Sequence, residues 1–191
     1  MLIEQPAEQP TGSARARSET GVATAASSEG ITETHDDHAD AESVARTIAL
    51  RRLTTRAHTR HELDKALQAK NVPQSVKEAV LDRMQEVGLV DDATFAVDWV
   101  ASRQQRRHLS RRALKRELEV KGVERGEIDR ALENVDRDAE LASARELVER
   151  KRPAMSALAH DVQQRRLAGL LSRRGFDSAV ITRVLSEVLR E

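Results

Sequence analysis

Residues 113–123 read ALKRELEVKGV, and two other stretches repeat this pattern, ELDKALQAKNV at 62–72 and RLAGLLSRRGF at 166–176. Each stretch places leucines eight and four positions before a central asparagine or glycine. Leucines four residues apart lie on one face of a helix, and asparagine and glycine are the residues that end a helix in a left-handed conformation. The pattern therefore predicts three copies of one helical unit, stacked as a repeat array.

The spacing of the repeats sets the expected size of each unit. The central residues Asn71, Gly122 and Gly175 are 51 and 53 residues apart, which leaves room for three short helices in each copy. We therefore predict an all-α fold of about nine helices in an elongated array that curves to the right or to the left. The expected units are residues 43–90, 91–136 and 137–191.

The composition supports helix and excludes several other classes of protein. Phe95, Trp99 and Phe176 are the only aromatic residues, whereas sheets depend on aromatic and β-branched side chains. The chain has no cysteine, so disulfides and thiolate metal ligands are excluded. No apolar run approaches the ~20 residues that cross a bilayer. No basic segment followed by an apolar one precedes the array, so we expect a soluble, cytoplasmic protein.

The net charge of zero is the sum of a negative N-terminal segment and a positive remainder of the chain. Residues 1–42 contain nine acids and two arginines, a net charge of −7, so the other 149 residues carry +7. Because residues 1–42 have few large apolar groups, we predict that they form a disordered acidic tail and that the first helix begins after its N-cap, Ser43. The tail either competes with an anionic partner for the basic body or only improves solubility.

The densest basic run lies between Asp98 and Glu117, where no acid interrupts it. Its cations are Arg103, Arg106, Arg107, Arg111, Arg112, Lys115 and Arg116. Ser110 is a suitable N-cap within the run, and the helix amides that follow it would attract anions. Further arginines in the last unit are Arg165, Arg166, Arg173 and Arg174. We predict a stripe that contacts phosphates or an acidic protein surface; the alternative is a solvated face balanced by neighbouring acids.

No pattern in the sequence predicts catalysis. A glycine-rich phosphate loop, a nucleophile elbow and a carboxylate dyad in a recognisable setting are all missing, and the histidines do not have metal-ligand spacing. We therefore expect no catalytic residue, no metal and no cofactor. Aromatic side chains that stack on single-stranded bases are absent from the basic run, so any DNA contact would be mainly electrostatic.

Several motifs occur in the order of a known family. Residues 88–92 read GLVDD and are followed by Phe95, Trp99 and the KGV of 121–123, and RRGF occupies 173–176. In this order and spacing the chain resembles the RecX family of bacterial recombination regulators, over everything after the tail. The third unit departs from the first two at its Gln163, so the resemblance does not imply equal roles for the three units.

The resemblance implies a partner and an activity. The partner is the RecA recombinase filament on single-stranded DNA, bound along its groove, and the effect is reduced ATP hydrolysis and strand exchange during recombination and DNA repair. It also implies direct DNA binding in several members. Two alternatives remain from the residues themselves, a basic module that competes for single-stranded DNA and an adaptor for another acidic protein. We expect a monomer that does not bind membranes.

Overall fold

A computed structural model describes residues 30–190 of the chain, with side chains from His38 onward. Of the disordered acidic tail predicted over residues 1–42, residues 1–29 lie outside the described residues. The helices are α1 (Gly30–Leu53), α2 (Arg60–Gln68), α3 (Gln74–Glu86), α4 (Asp92–Arg107), α5 (Arg111–Val120), α6 (Arg125–Ala131), α7 (Arg137–Lys151), α8 (His160–Arg173) and α9 (Ser178–Val188). A short 3-10 helix, Arg152–Met155, precedes α8, and this part of the chain contains no strand.

Three separate apolar cores divide these helices into unit 1 (α1–α3), unit 2 (α4–α6) and unit 3 (α7–α9). The leucine pairs of the repeat lie at the centres of the cores, and all of their side chains are fully buried. They are Leu63 and Leu67, Leu114 and Leu118, and Leu167 and Leu171. The predicted all-α array of three-helix units is therefore confirmed. Because each core is small, the contacts between units add to its stability.

The residue that ends the middle helix of each unit has the predicted left-handed conformation. Asn71, Gly122 and Gly175 have φ values of 57°, 75° and 89°. In each unit the following amide donates to the carbonyl of the second leucine, at 3.2 to 3.3 Å. This bond satisfies a carbonyl that the end of the helix would otherwise leave without a partner.

The first helix begins earlier than the sequence pattern predicted. α1 starts at Gly30, so Ser43 lies inside it and the predicted N-cap at Ser43 is wrong. Residues 31–42 contain no proline or glycine that would end a helix, and acids near a helix N-terminus interact favourably with its dipole. Arg46 also pairs with Glu42 one turn before it. Part of the acidic stretch therefore belongs to the helical body.

Units 1 and 2 meet at the N-terminus of α2. The Thr59 hydroxyl donates to the Lys121 carbonyl at 2.7 Å, and the Arg60 amide donates to Asp92 Oδ1 at 2.9 Å. Gly122 lies directly against the His61 side chain. Polar groups from the start and the turn of unit 2 thus satisfy the end of a helix in unit 1.

Units 2 and 3 meet in the same way at the N-terminus of α5. The Ser110 amide donates to the Arg174 carbonyl at 3.1 Å, and the Arg111 amide donates to Glu140 Oε1 at 2.9 Å. Gly175 lies against Ser110, as Gly122 does against its neighbour in the first junction. One junction geometry is therefore used twice, which makes the array regular.

An ion pair strengthens the first junction. Lys121 of unit 2 pairs with Glu62 of unit 1, and Arg56 also contacts Glu62, at 3.0 Å. Burial alone would raise the pKa of Glu62, but hydrogen bonds from Arg56 and Lys121 outweigh it and lower the pKa to about 2.

We expect this pair to make the stability of the protein depend on pH in the acid range. Because the pKa of Glu62 falls from 4.5 to about 2 on folding, its contribution is complete above pH 4.5 and is lost as the pH falls towards 2. Glu62→Gln should lower the free energy of unfolding by about 1–3 kcal/mol at pH 7 and by much less near pH 2. Urea unfolding at pH 7, 4 and 2.5 measures this difference; a difference that does not change with pH would contradict the assignment.

Candidate partner-binding surface

Four arginines of unit 2 are exposed, and their side chains form no hydrogen bond or ion pair with the side chains and backbone described over residues 38–190. We call Arg106, Arg107, Arg112 and Arg116 the unit 2 arginine cluster. Arg106 and Arg107 lie in the last turn of α4, and α5 begins at Arg111, a short loop later. Arg112 and Arg116 are one turn apart on the side of α5 opposite its buried leucines. The cluster is therefore open to an anionic partner.

Arg103 has a different environment from this cluster. Its guanidinium lies 3.8 Å from the centre of the Trp99 ring, and its Nε donates to Glu117 at 2.8 Å. The Trp99 indole N–H donates to the same carboxylate, and Lys121 lies 4.7 Å from the ring centre. Trp99 has a packing role, because its half-buried ring packs against the core of unit 2. The Arg103 guanidinium therefore interacts with side chains of its own unit, and Arg103 does not belong to the cluster.

Arg111 and Lys115 also bond within the protein. The Arg111 guanidinium donates to the carbonyls of Leu132 and Val135, the latter at 3.0 Å, and so satisfies the end of α6. Lys115 lies 3.5 Å from Asp129. These contacts join the second and third helices of unit 2.

The predicted anion site at the N-terminus of α5 is wrong. Ser110 does cap this helix, since its hydroxyl accepts from the Ala113 amide at 3.2 Å. However, Ser110 is 1% exposed, and the Arg111 amide already donates to the Glu140 carboxylate of unit 3. The stacking of unit 3 therefore covers the helix end that an external anion would need.

Replacement of Arg111 should separate its structural role from binding. Arg111→Ala removes two hydrogen bonds from a charged donor to buried carbonyls and should lower the free energy of unfolding by about 2–4 kcal/mol. Arg112→Ala, the matched control, removes an exposed side chain and should change stability by less than about 0.5 kcal/mol. Urea titration of both variants measures this, and equal stabilities would contradict the role assigned to Arg111.

His108 belongs to the basic run in sequence but not to the exposed surface. It ends α4 in a left-handed conformation with φ 49°, and its side chain is 2% exposed. Burial lowers the pKa of the imidazole, and the positive charge of Arg150 lowers this pKa further. The ring is therefore neutral at pH 7 and adds no charge to the cluster.

The arginines predicted in unit 3 are divided between two environments. Arg166 and Arg173 are exposed and lie seven residues apart in α8, on the face that also contains Gly169. Arg165 is exposed, 4.0 Å from Asp161. Arg174 is half-buried at the second junction, where its carbonyl accepts from Ser110. Three of the four arginines are thus accessible to a partner.

The described residues offer no metal centre and no membrane span. No group of three or more His, Asp or Glu side chains in this part of the chain could hold a metal ion. No helix among these residues is long and apolar enough to cross a bilayer. A helical-repeat protein with an exposed cationic surface is the class that the fold and the surface define, and such proteins bind partners along extended faces.

Comparison with known proteins gives the family. Family models for the first, second and third three-helix domains of RecX match residues 45–84, 91–132 and 138–185. The regulatory protein RecX of Streptomyces coelicolor is 46% identical over 147 residues, which cover 77% of this chain and 78% of that protein. The regulatory protein RecX of Thermobifida fusca is 44% identical over 145 residues, or 76% and 78% of the two chains. The chain therefore belongs to the RecX family of regulatory proteins.

Solved structures of the family have the same fold. The crystal structure of RecX from Lactobacillus salivarius superposes with a TM-score of 0.67 at 19% identity, over 78% of this chain and 97% of that one. A second crystal structure of a regulatory protein RecX gives a TM-score of 0.68 at 18% identity, over 85% and 80% of the two chains.

Proposed function

We propose that this protein binds the RecA filament on single-stranded DNA, along the filament groove, and inhibits its ATP hydrolysis and strand exchange. The protein would thereby limit homologous recombination in the cytoplasm. It would act without catalysing a reaction of its own. Membership of a family of regulatory proteins supports a regulatory role.

The observation that carries the proposal is the unit 2 arginine cluster. Arg106, Arg107, Arg112 and Arg116 are exposed, and no acid of the described residues neutralises them. In contrast, exposed Arg83, Arg125 and Arg183 each pair with a nearby acid. Cations without partners on a regular array suit a filament, because several weak contacts at a fixed spacing add through effective concentration.

Titration of the protein into preformed filaments tests the proposal. Single-stranded-DNA-dependent ATP hydrolysis by the cognate RecA is measured with DNA in large excess over the added protein. We expect inhibition well below one molecule per recombinase. A lack of inhibition at saturation would overturn the proposal.

The same cluster supports a second candidate, a module that competes with the recombinase for single-stranded DNA. Competition predicts tight DNA binding without the recombinase, with an affinity that falls steeply as salt rises. It also predicts that excess DNA relieves the inhibition. Inhibition that persists in excess DNA therefore supports filament binding over competition.

A further inference from the structure

Unit 3 has an open groove of about 600 Å³ between α8 and α9. Ala168, Ile181 and Leu185 form its apolar floor, and Arg165 and Arg190 lie at its rim. The floor side chains also pack against the core of unit 3. The groove is thus a site with an apolar floor, and the side chains of that floor are held in place by the core of unit 3.

In unit 1 the equivalent groove, between α2 and α3, is closed by ion pairs of the unit itself. Asp64 of α2 pairs with Lys77 of α3 at 2.9 Å, and the Lys77 side chain is only 5% exposed. Arg60 of α2 pairs with Asp82 of α3 at 2.6 Å. These two bridges occupy the space between the helices.

The groove of unit 2, between α5 and α6, is closed in the same places. Lys115, which aligns with Asp64, lies 3.5 Å from Asp129 of α6. Arg111, which aligns with Arg60, reaches the carbonyls of Leu132 and Val135. Closure by charged side chains is therefore a shared property of the first two units.

Unit 3 lacks both bridges. With the 53-residue interval of the repeat, Lys115 and Asp129 of unit 2 align with Ala168 and Thr182, and Arg111 aligns with Gln164. None of these replacements carries a charge, and alanine and threonine are too short to meet across the groove. Unit 3 thus lacks the charged side chains that close the grooves of units 1 and 2, and its groove has an apolar floor.

We propose that this groove is a second docking site, which binds an amphipathic acidic segment of the protein partner. This inference rests on the proposed function, because the partner is the filament protein. Apolar side chains of the segment enter between α8 and α9, and a carboxylate faces Arg165 and Arg190. Among the described residues Asp161 is the one acid that lines the groove, and it lies 4.0 Å from Arg165.

The first two units indicate why the segment is acidic. In both of them a carboxylate of the third helix, Asp82 or Asp129, faces a cation of the second helix. In unit 3 the groove has Arg165 on the second helix, one position after Gln164, but Thr182 and Ser186 occupy the positions of those two acids. A carboxylate from a partner restores the missing charge, and burial of the floor adds apolar contact.

Closing the groove with the residues of unit 2 tests the inference. Ala168→Lys combined with Thr182→Asp recreates the Lys115–Asp129 pair and leaves the net charge unchanged. We expect filament affinity, measured by fluorescence anisotropy of labelled protein, to fall at least about tenfold, while affinity for single-stranded DNA stays the same. Ser172→Lys combined with Ser178→Asp, at exposed positions of the same helices, is the control and should bind as the wild type does.

A photo-crosslinking residue at Thr182 gives an independent readout. We expect it to join the protein to a recombinase peptide that contains both apolar and acidic residues. Crosslinks to DNA, to a second copy of this chain or to residues 1–29, or no crosslink at all, would overturn the docking site. If wild-type protein inhibits the filament but the groove variant binds equally well, the groove assignment alone fails. If wild-type protein does not inhibit the filament at all, the proposed function itself is contradicted, whatever the groove variant does.

Discussion

Gly175→Ala should destabilise the protein by about 3 kcal/mol or more. Gly175 has φ +89°, where an L side chain is strained. A methyl group there would also lie 2.6 Å from Ser110 Oγ and 2.9 Å from Ala113 Cβ. Because both neighbours belong to the capped first turn of α5, they cannot move without breaking the junction between units 2 and 3.

Gly88→Ala is the matched control for this prediction. Gly88 has φ +71°, but nothing lies within 4 Å of the position that its Cβ would occupy. This variant therefore measures the backbone strain alone, about 1–2 kcal/mol. Thermal unfolding should show a melting temperature lower by about 6–12 °C for Gly175→Ala and by about half of that or less for Gly88→Ala. Equal losses would mean that close packing at the junction contributes nothing.

Replacement of Arg106, Arg107, Arg112 and Arg116 by alanine should raise the concentration for half-inhibition of the filament ATPase about tenfold or more. Each exposed charge contact contributes about 0.2–1 kcal/mol, and four of them act together. The fold should be retained, since none of these side chains has a partner within the described residues. Circular dichroism and a thermal melt verify the fold before inhibition is measured.

A control with the same change in charge distinguishes the cluster from a general loss of basic groups. Arg83, Arg125, Arg130 and Arg183 are exposed and form contacts within their own units. Their replacement by alanine should leave inhibition close to that of the wild type. If both quadruple variants lose inhibition equally, net charge rather than the cluster determines binding. If the cluster variant inhibits as well as the wild type, the interface lies elsewhere.

The local features of the fold could be predicted from the sequence because short-range interactions determine them. The leucine spacing predicted the buried face of each middle helix, and the Asn71, Gly122 and Gly175 positions predicted left-handed helix ends. The cap at Ser110 was also predicted, because a cap bonds to an amide three residues later. The start of α1 was predicted incorrectly, since a good capping residue does not end a helix that can continue past it.

The exposure of each arginine could not be predicted in the same way. Arg111 and Arg112 are neighbours in one basic run, but Arg111 reaches the carbonyls of Leu132 and Val135 while Arg112 faces solvent. The partners of Arg111 are more than twenty residues away in the sequence, so only the packing of the helices brings them to it.

The sequence by itself determined the number of units, their helices and the conformation at each helix end, because leucine burial and left-handed turns depend on residues within a few positions of one another. Only the tertiary structure decided which polar groups remain for a partner. Glu140 of unit 3 accepts from the Arg111 amide at the start of α5, and the absence of a cross-helix ion pair at Ala168 leaves the groove of unit 3 open. Both outcomes depend on contacts between residues distant in the chain, and the energies of such contacts arise only when the helices have packed together.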